Sequence, residues 1–169
     1  MSGPHEATRR DPIAEAHRQW SLRWDAAEPM AAVTAIVRVQ QVLLAGLNQL
    51  LRDFELTFAR YEALVLLHFS RRGALPLGKM GERLMVHPTS VTNAIDRLER
   101  QGFVERVPHP EDRRTTLARL TPRGREVVEE ATAVLVGARF GLEGLSDEEA
   151  ALLTDLLQRV RRRLGDLRD

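Results

Sequence analysis

The chain has 169 residues, a hydrophobic fraction of 43% and a formal charge of +1 from 25 basic and 24 acidic side chains. That length suits one compact domain, or one with helical extensions. The charge balance means that any nucleic-acid surface must be a local feature. With no cysteine present, disulfides, thiolate zinc sites, cysteine nucleophiles and thiol redox sensing are excluded. The histidines are His5, His17, His68, His87 and His109. They form neither an i, i+4 pair nor an HExxH pattern, so no metal and no cofactor is expected. No apolar run reaches the ~18 residues that span a bilayer. The first ten residues carry charges with no apolar stretch behind them, unlike a signal peptide. The expectation is a cytoplasmic chain with no membrane partner.

Residues 1–10 read as a disordered terminus. Asp11 and Pro12 then open a short helix, with Asp as N-cap and Pro at the first helical position. Ile13, Ala16, Trp20 and Trp24 share one of its faces, and Asp25–Pro29 ends it. A long helix follows over Met30–Asp53, and its apolar face is broad enough to need more than one neighbour. Thr57 caps a helix running to about Ser70, which Gly73 closes. Leu75–Leu77 is long enough only for an edge strand. Two short helices sit close together over Gly78–Leu84 and Pro88–Gln101, with Val86 and His87 in the turn and His87 at the N-cap. Phe103–Val107 and Thr115–Leu120 are strands joined through the polar tip Pro108–Asp112. Thr121 and Pro122 open a helix to about Phe140, and Ser146–Glu149 is a capping box for the last helix.

Helices, a tight helix pair, a hairpin and two more helices, in that order, read as a mainly α fold with a small β wing. This is a winged helix-turn-helix with N- and C-terminal dimerisation helices. The expected organisation is N-terminal helices over 11–53, the winged domain over 54–121 and C-terminal dimerisation helices over 122–169. On the second helix of the pair, Val91, Ile95 and Leu98 repeat at inward spacing. Thr89, Ser90, Thr92, Asn93 and Arg97 face out. Asn can bond adenine bidentately, while Ser and Thr can meet base edges or phosphates. At the hairpin tip, Asp112 is followed by Arg113 and Arg114, and arginines there can enter a minor groove. Asp112 can bond the amides of the turn or pair with one arginine. Double-stranded DNA is thus the expected macromolecular partner. No Ser-His-Asp set, paired-carboxylate cleft, phosphate loop or metal signature argues for an enzyme. The competing reading is a winged-helix adaptor that binds protein and reads no DNA sequence.

The run Asp112-Arg113-Arg114, the strand ending Leu120-Thr121, and Gly124 resemble the D-x-R wing and L-T-x-x-G segment of the MarR family. Ser90–Glu99 followed by Gly102-Phe103-Val104 resembles that family's recognition helix and first wing strand. The resemblance covers about Val33–Arg163. It implies a homodimeric repressor with interlocked terminal helices and two recognition helices on a palindrome. It also implies a small effector, often anionic or phenolic, that weakens DNA binding. The absence of cysteine departs from the family's peroxide-sensing branch. Asp11–Trp24 resembles the extra N-terminal helix of another branch, which binds urate-like or small carboxylate ligands. By that resemblance Trp20, Glu62 and Arg106 would form the ligand site, although the branch has Asp where this chain has Glu62. Trp20 serves either there or in plain helix packing. Glu62 would either pair with Arg106 in the empty state or take up a proton on binding.

Overall fold

A computed structural model describes residues 11–112 and 114–167. The chain divides into two compact bodies between Ala45 and Gly46. The segment 1–10, expected to be disordered, and Arg113, expected at the wing tip, lie outside the described residues.

In the first body, α1 spans Pro12–Ser21, and the Asp11 carboxylate accepts the Ile13 amide at 2.9 Å. The expected cap is thus in place. The indole N–H of Trp20 donates to the Asp25 carbonyl at 2.9 Å, and the Trp20 and Trp24 rings lie 4.8 Å apart. The break between helices falls at Leu22–Ala26, with Ala26 at a φ of 57°. The next helix, α2, therefore begins earlier than expected, at Ala27, and runs to Leu50. Pro29 lies in its first turn, where a missing N–H costs nothing.

At 24 residues, α2 is long and apolar enough by length and composition to cross a membrane. This corrects the expectation that no segment would reach that size. Counting unbroken runs stops at Arg38, Gln40 and Gln41, whereas the composition of the whole helix is apolar. Val33, Ile36, Val37, Val39, Val42 and Leu44 are exposed along it.

In the second body, α2 ends at Leu50 rather than Asp53, and Arg52–Phe54 forms one 3-10 turn closed by Glu55 at a φ of 55°. The helix α3 spans Phe58–His68, capped by Thr57. After it come β1 (Ala74–Pro76), α4 (Leu77–Leu84), α5 (Pro88–Arg100), β2 (Val104–Pro108) and β3 (Thr116–Leu120). The strands form one antiparallel sheet in the order β1-β3-β2, with Leu75 opposite Ala118 and Arg106 opposite Ala118 on the other side. The short edge strand read from the sequence thus closes the base of the wing. The core joins Leu64 and Leu67 of α3, Met80 of α4, Ile95 and Leu98 of α5, and Ala118 of β3, all fully buried.

The helix α6 (Pro122–Gly137) is capped by the Thr121 hydroxyl and lays Val128, Ala131 and Leu135 into the same core. It stops short of Phe140, because Arg139 and Phe140 take positive φ values of 44° and 53°. The last helix, α7 (Asp147–Arg163), has the full capping box of Ser146 and Glu149 but no buried residue. Leu152, Leu153, Leu156 and Val160 remain exposed on it.

Candidate nucleic-acid interface

The tight pair α4 and α5 is built by backbone economy. Met85 ends α4 in the left-handed region at a φ of 54°, and the Val86 amide bonds back to the Gly81 carbonyl at 3.1 Å. A side chain on Gly81 would lie 3.3 Å from the Val86 oxygen and 3.4 Å from Val91. A side chain there would crowd both the turn and α5 by a few tenths of an ångström. His87 then caps α5 as expected: its Nδ1 accepts the Thr89 amide at 3.2 Å. Pro88 follows at the first helical position.

The helix α5 has two distinct faces. Val91, Ile95 and Leu98 are buried. Thr89, Ser90, Thr92, Asn93 and Arg97 are all exposed. Thr92 donates its hydroxyl to the Pro88 carbonyl at 3.1 Å, which leaves its methyl free for apolar contact. Asn93 and Ser90 make no hydrogen bond among the described residues through their side chains. Their donors and acceptors face solvent, ready for a polar edge.

At the wing, Asp112 organises the turn. One carboxylate oxygen accepts the Arg114 amide at 3.0 Å and the other accepts the Thr115 hydroxyl at 2.7 Å. The Thr115 hydroxyl and then the Arg114 amide hold the Asp112 carboxyl below its ordinary pKa. Arg114 itself is exposed beside this turn. Thr115 was not singled out from the sequence, although an Asx turn of the form D-x-x-T carries its own signal.

Of the residues expected to bind a ligand, Glu62 and Arg106 have separate surroundings within the second body. Trp20 is half-buried in the first body against Trp24. Glu62 edges a crevice of about 70 Å³ with Ala63, Leu84, Val86 and Ser90. The apolar walls take water from its carboxyl and raise its pKa. Arg106 lies on β2, and its guanidinium pairs with Asp96 and Glu99 of α5. The empty-state pair of Glu62 with Arg106 is therefore replaced by a clamp between wing and helix. Burial works against the Arg106 charge, but the bonds to Asp96 and Glu99 outweigh it and raise its pKa. Sequence reasoning missed these two acids as partners, because they precede Arg106 by ten and seven residues across a turn.

Comparison with known proteins agrees with this geometry. The model of the MarR family matches residues 56–116, from the start of α3 through the wing tip. The transcriptional regulator PecS of Dickeya dadantii is 31% identical over 81% of this chain and 84% of its own length. The crystal structure of Sco5413, a MarR family transcriptional regulator from Streptomyces coelicolor, is 50% identical, with a TM-score of 0.76. That match covers 84% of this chain and 99% of Sco5413. A cysteine-to-serine mutant of Escherichia coli MarR complexed with operator DNA is 28% identical, with a TM-score of 0.70, over 79% of this chain and 95% of that one. In sequence, in fold and in the arrangement of helix pair and wing, the chain belongs to the MarR family.

Proposed function

We propose that this protein is a DNA-binding transcriptional regulator, acting as a repressor, that reads a palindromic operator as a homodimer. The observation that carries the reading is α5: a fully buried apolar face opposite an exposed set of Thr89, Ser90, Thr92, Asn93 and Arg97. Held on a rigid core beside a structured wing, this face enters a major groove while Arg114 reaches toward the adjacent minor groove. DNA complexes of family members, such as the Escherichia coli MarR mutant with operator DNA, support it.

The apolar residues left exposed on α2 and α7 support self-association. Such a surface on one chain is covered when two chains share it across a two-fold axis. Lipid is a poorer partner for α2, because Arg38, Gln40 and Gln41 sit midway along it. An arginine at the centre of a bilayer costs about 2.5–3.5 kcal/mol. A small organic anion is the expected effector, binding the DNA-incompetent state more tightly than the competent one.

The experiment is a titration of wild type and the Asn93→Ala variant against an operator recovered from random duplexes and against unrelated DNA. The reading expects the variant to lose preference for the operator while keeping its affinity for unrelated DNA. A good bidentate pair discriminates by about 1–3 kcal/mol. An equal loss on all DNA would move Asn93 to phosphate contact. A wild type that binds no duplex in a salt-dependent way would favour the adaptor reading instead.

A further inference from the structure

The Arg106 clamp has a geometry that simple surface ion pairs lack. On β2, Arg106 shares a face with buried Val104 and stands opposite buried Ala118 of β3. Its side chain is only 26% exposed. One guanidinium nitrogen bonds Asp96 and the other bonds Glu99. Glu99 also accepts the backbone N–H of Arg106 at 3.1 Å, on the open edge of the sheet. Glu99 therefore grips both the side chain and the main chain of one wing residue. Three charge-assisted bonds join β2 to α5, each stronger than a neutral bond.

The position of the acids matters as much. At 100° per residue, Asp96 falls between Thr92 and Thr89 on the outward face of α5, and Glu99 lies on the other side of Thr92, toward Ile95. Two free carboxylates there would repel phosphates. The covalent link from α5 to β2 is short, Gln101–Phe103, and Gly102 within it sits at a φ of 76°. This link is held by the Phe103 amide on the Leu98 carbonyl and the Thr121 amide on the Phe103 carbonyl, and the Arg106 clamp adds a side-chain tie farther along β2.

We propose that Arg106 is a positioning residue for DNA reading. By gripping Asp96 and Glu99 it locks the wing to the reading helix at one angle, and it turns both carboxylates away from the phosphates. Helix and wing then meet the major and minor grooves in a single register. This rests on the DNA-reading function proposed above. Arg106 itself touches no DNA in this account. Specificity is affected because a misaligned wing loses its groove contacts on the correct sequence, while unrelated DNA is bound mainly through charge.

The test compares the full chain with Arg106→Met, with Asp96→Asn/Glu99→Gln, and with the triple variant. Each is titrated against a wild-type-selected operator and a scrambled duplex at several salt concentrations. Breaking the clamp from either side should lower the operator-to-scrambled affinity ratio about tenfold. The triple variant should lose no more than either parent, because all three residues act as one unit. The Asp96→Asn/Glu99→Gln variant should bind scrambled DNA at least as well as wild type, having lost two negative charges. The log–log salt slope of Arg106→Met should stay unchanged. A slope lowered by about one, with equal loss on both duplexes, would make Arg106 a phosphate contact and overturn the proposal. An unchanged ratio in the Asp96→Asn/Glu99→Gln variant would overturn it too, and that variant stays informative if Arg106→Met fails to fold. If wild type selects no operator at all, the DNA-reading function fails first, and the clamp's role falls with it.

Discussion

Replacing Gly124 by alanine tests the junction between wing and α6. A Cβ on Gly124 would lie 2.0 Å from the Phe103 carbonyl oxygen and 2.9 Å from its carbon. Both are backbone atoms, so no rotamer change relieves the clash. That same oxygen is already held by the Thr121 amide and hydroxyl, each at 3.1 Å. The guanidinium of Arg123 lies over the Phe103 ring at 5.3 Å. The start of α6 is therefore stapled to the start of β2, and an added methyl must push them apart. Overpacking costs typically 1–3 kcal/mol, and a backbone clash belongs at the upper end, about 3. Alanine's better helix propensity returns at most about 1 kcal/mol. The net loss is about 2 kcal/mol, or about 4–8 °C in melting temperature for a chain of this size. Thermal melts followed by circular dichroism, at matched protein concentration, measure it. Gly78→Ala is the control: a Cβ there meets nothing within 4 Å, and the change should stabilise by about 0.4–1 kcal/mol. A Gly124→Ala chain melting at or above wild type would refute the reasoning.

Further outcomes follow from individual groups. Arg114→Ala should weaken operator binding and lower its log–log salt slope by about one, whereas an unchanged slope would take the wing tip off the phosphates. His87→Ala should cost about 1 kcal/mol of stability in thermal melts and His87→Ser should restore most of it, since serine also accepts the Thr89 amide; equal melting of both variants with wild type would mean the cap carries nothing. Glu62→Gln should stabilise the protein near neutral pH. Burial raises the Glu62 pKa, so the folded state holds its proton more tightly than the unfolded state does. The native charged form is penalised as pH rises through the raised pKa, and the gain from glutamine should vanish at pH values below the ordinary carboxylate range. Melts of both proteins across acid and neutral pH check this, and destabilisation at neutral pH would reveal a partner for the Glu62 charge. Sedimentation should find two chains together at micromolar concentration, and a stable folded monomer would contradict the dimer.

Local chemistry made much of this molecule legible before its fold was known. Asp11, Thr57, His87, Thr121 and Ser146 all cap the helices they precede, because a side-chain acceptor beside free amides works without help from distant residues. The alternation of Val91, Ile95 and Leu98 with the polar set on α5 was likewise visible as helical period. What escaped depends on tertiary placement. The residues Ala26, Arg139 and Phe140 turn the chain at positive φ without glycine, so the exact limits of those breaks were not marked. The edge strand β1 joins the wing only because β3 offers it a partner. The clamp was hidden because Arg106 lies on a different element from Asp96 and Glu99. One signal was available: two acids at i, i+3 on the helix, and an arginine in inward register with Val104 two residues away. The apolar length of α2 was underestimated because a few polar residues break its run without changing its character.

In a two-fold dimer, α5 and the wing of each chain should read DNA sequence as a symmetric pair. Selection from random duplexes by the purified full chain, followed by sequencing of the bound pool, tests it most directly. One palindrome should be enriched, with half-sites centred about 10–10.5 base pairs apart, one turn of the duplex or a multiple of it. A pool that stays random through successive rounds, or that yields a single unrepeated half-site, would contradict it.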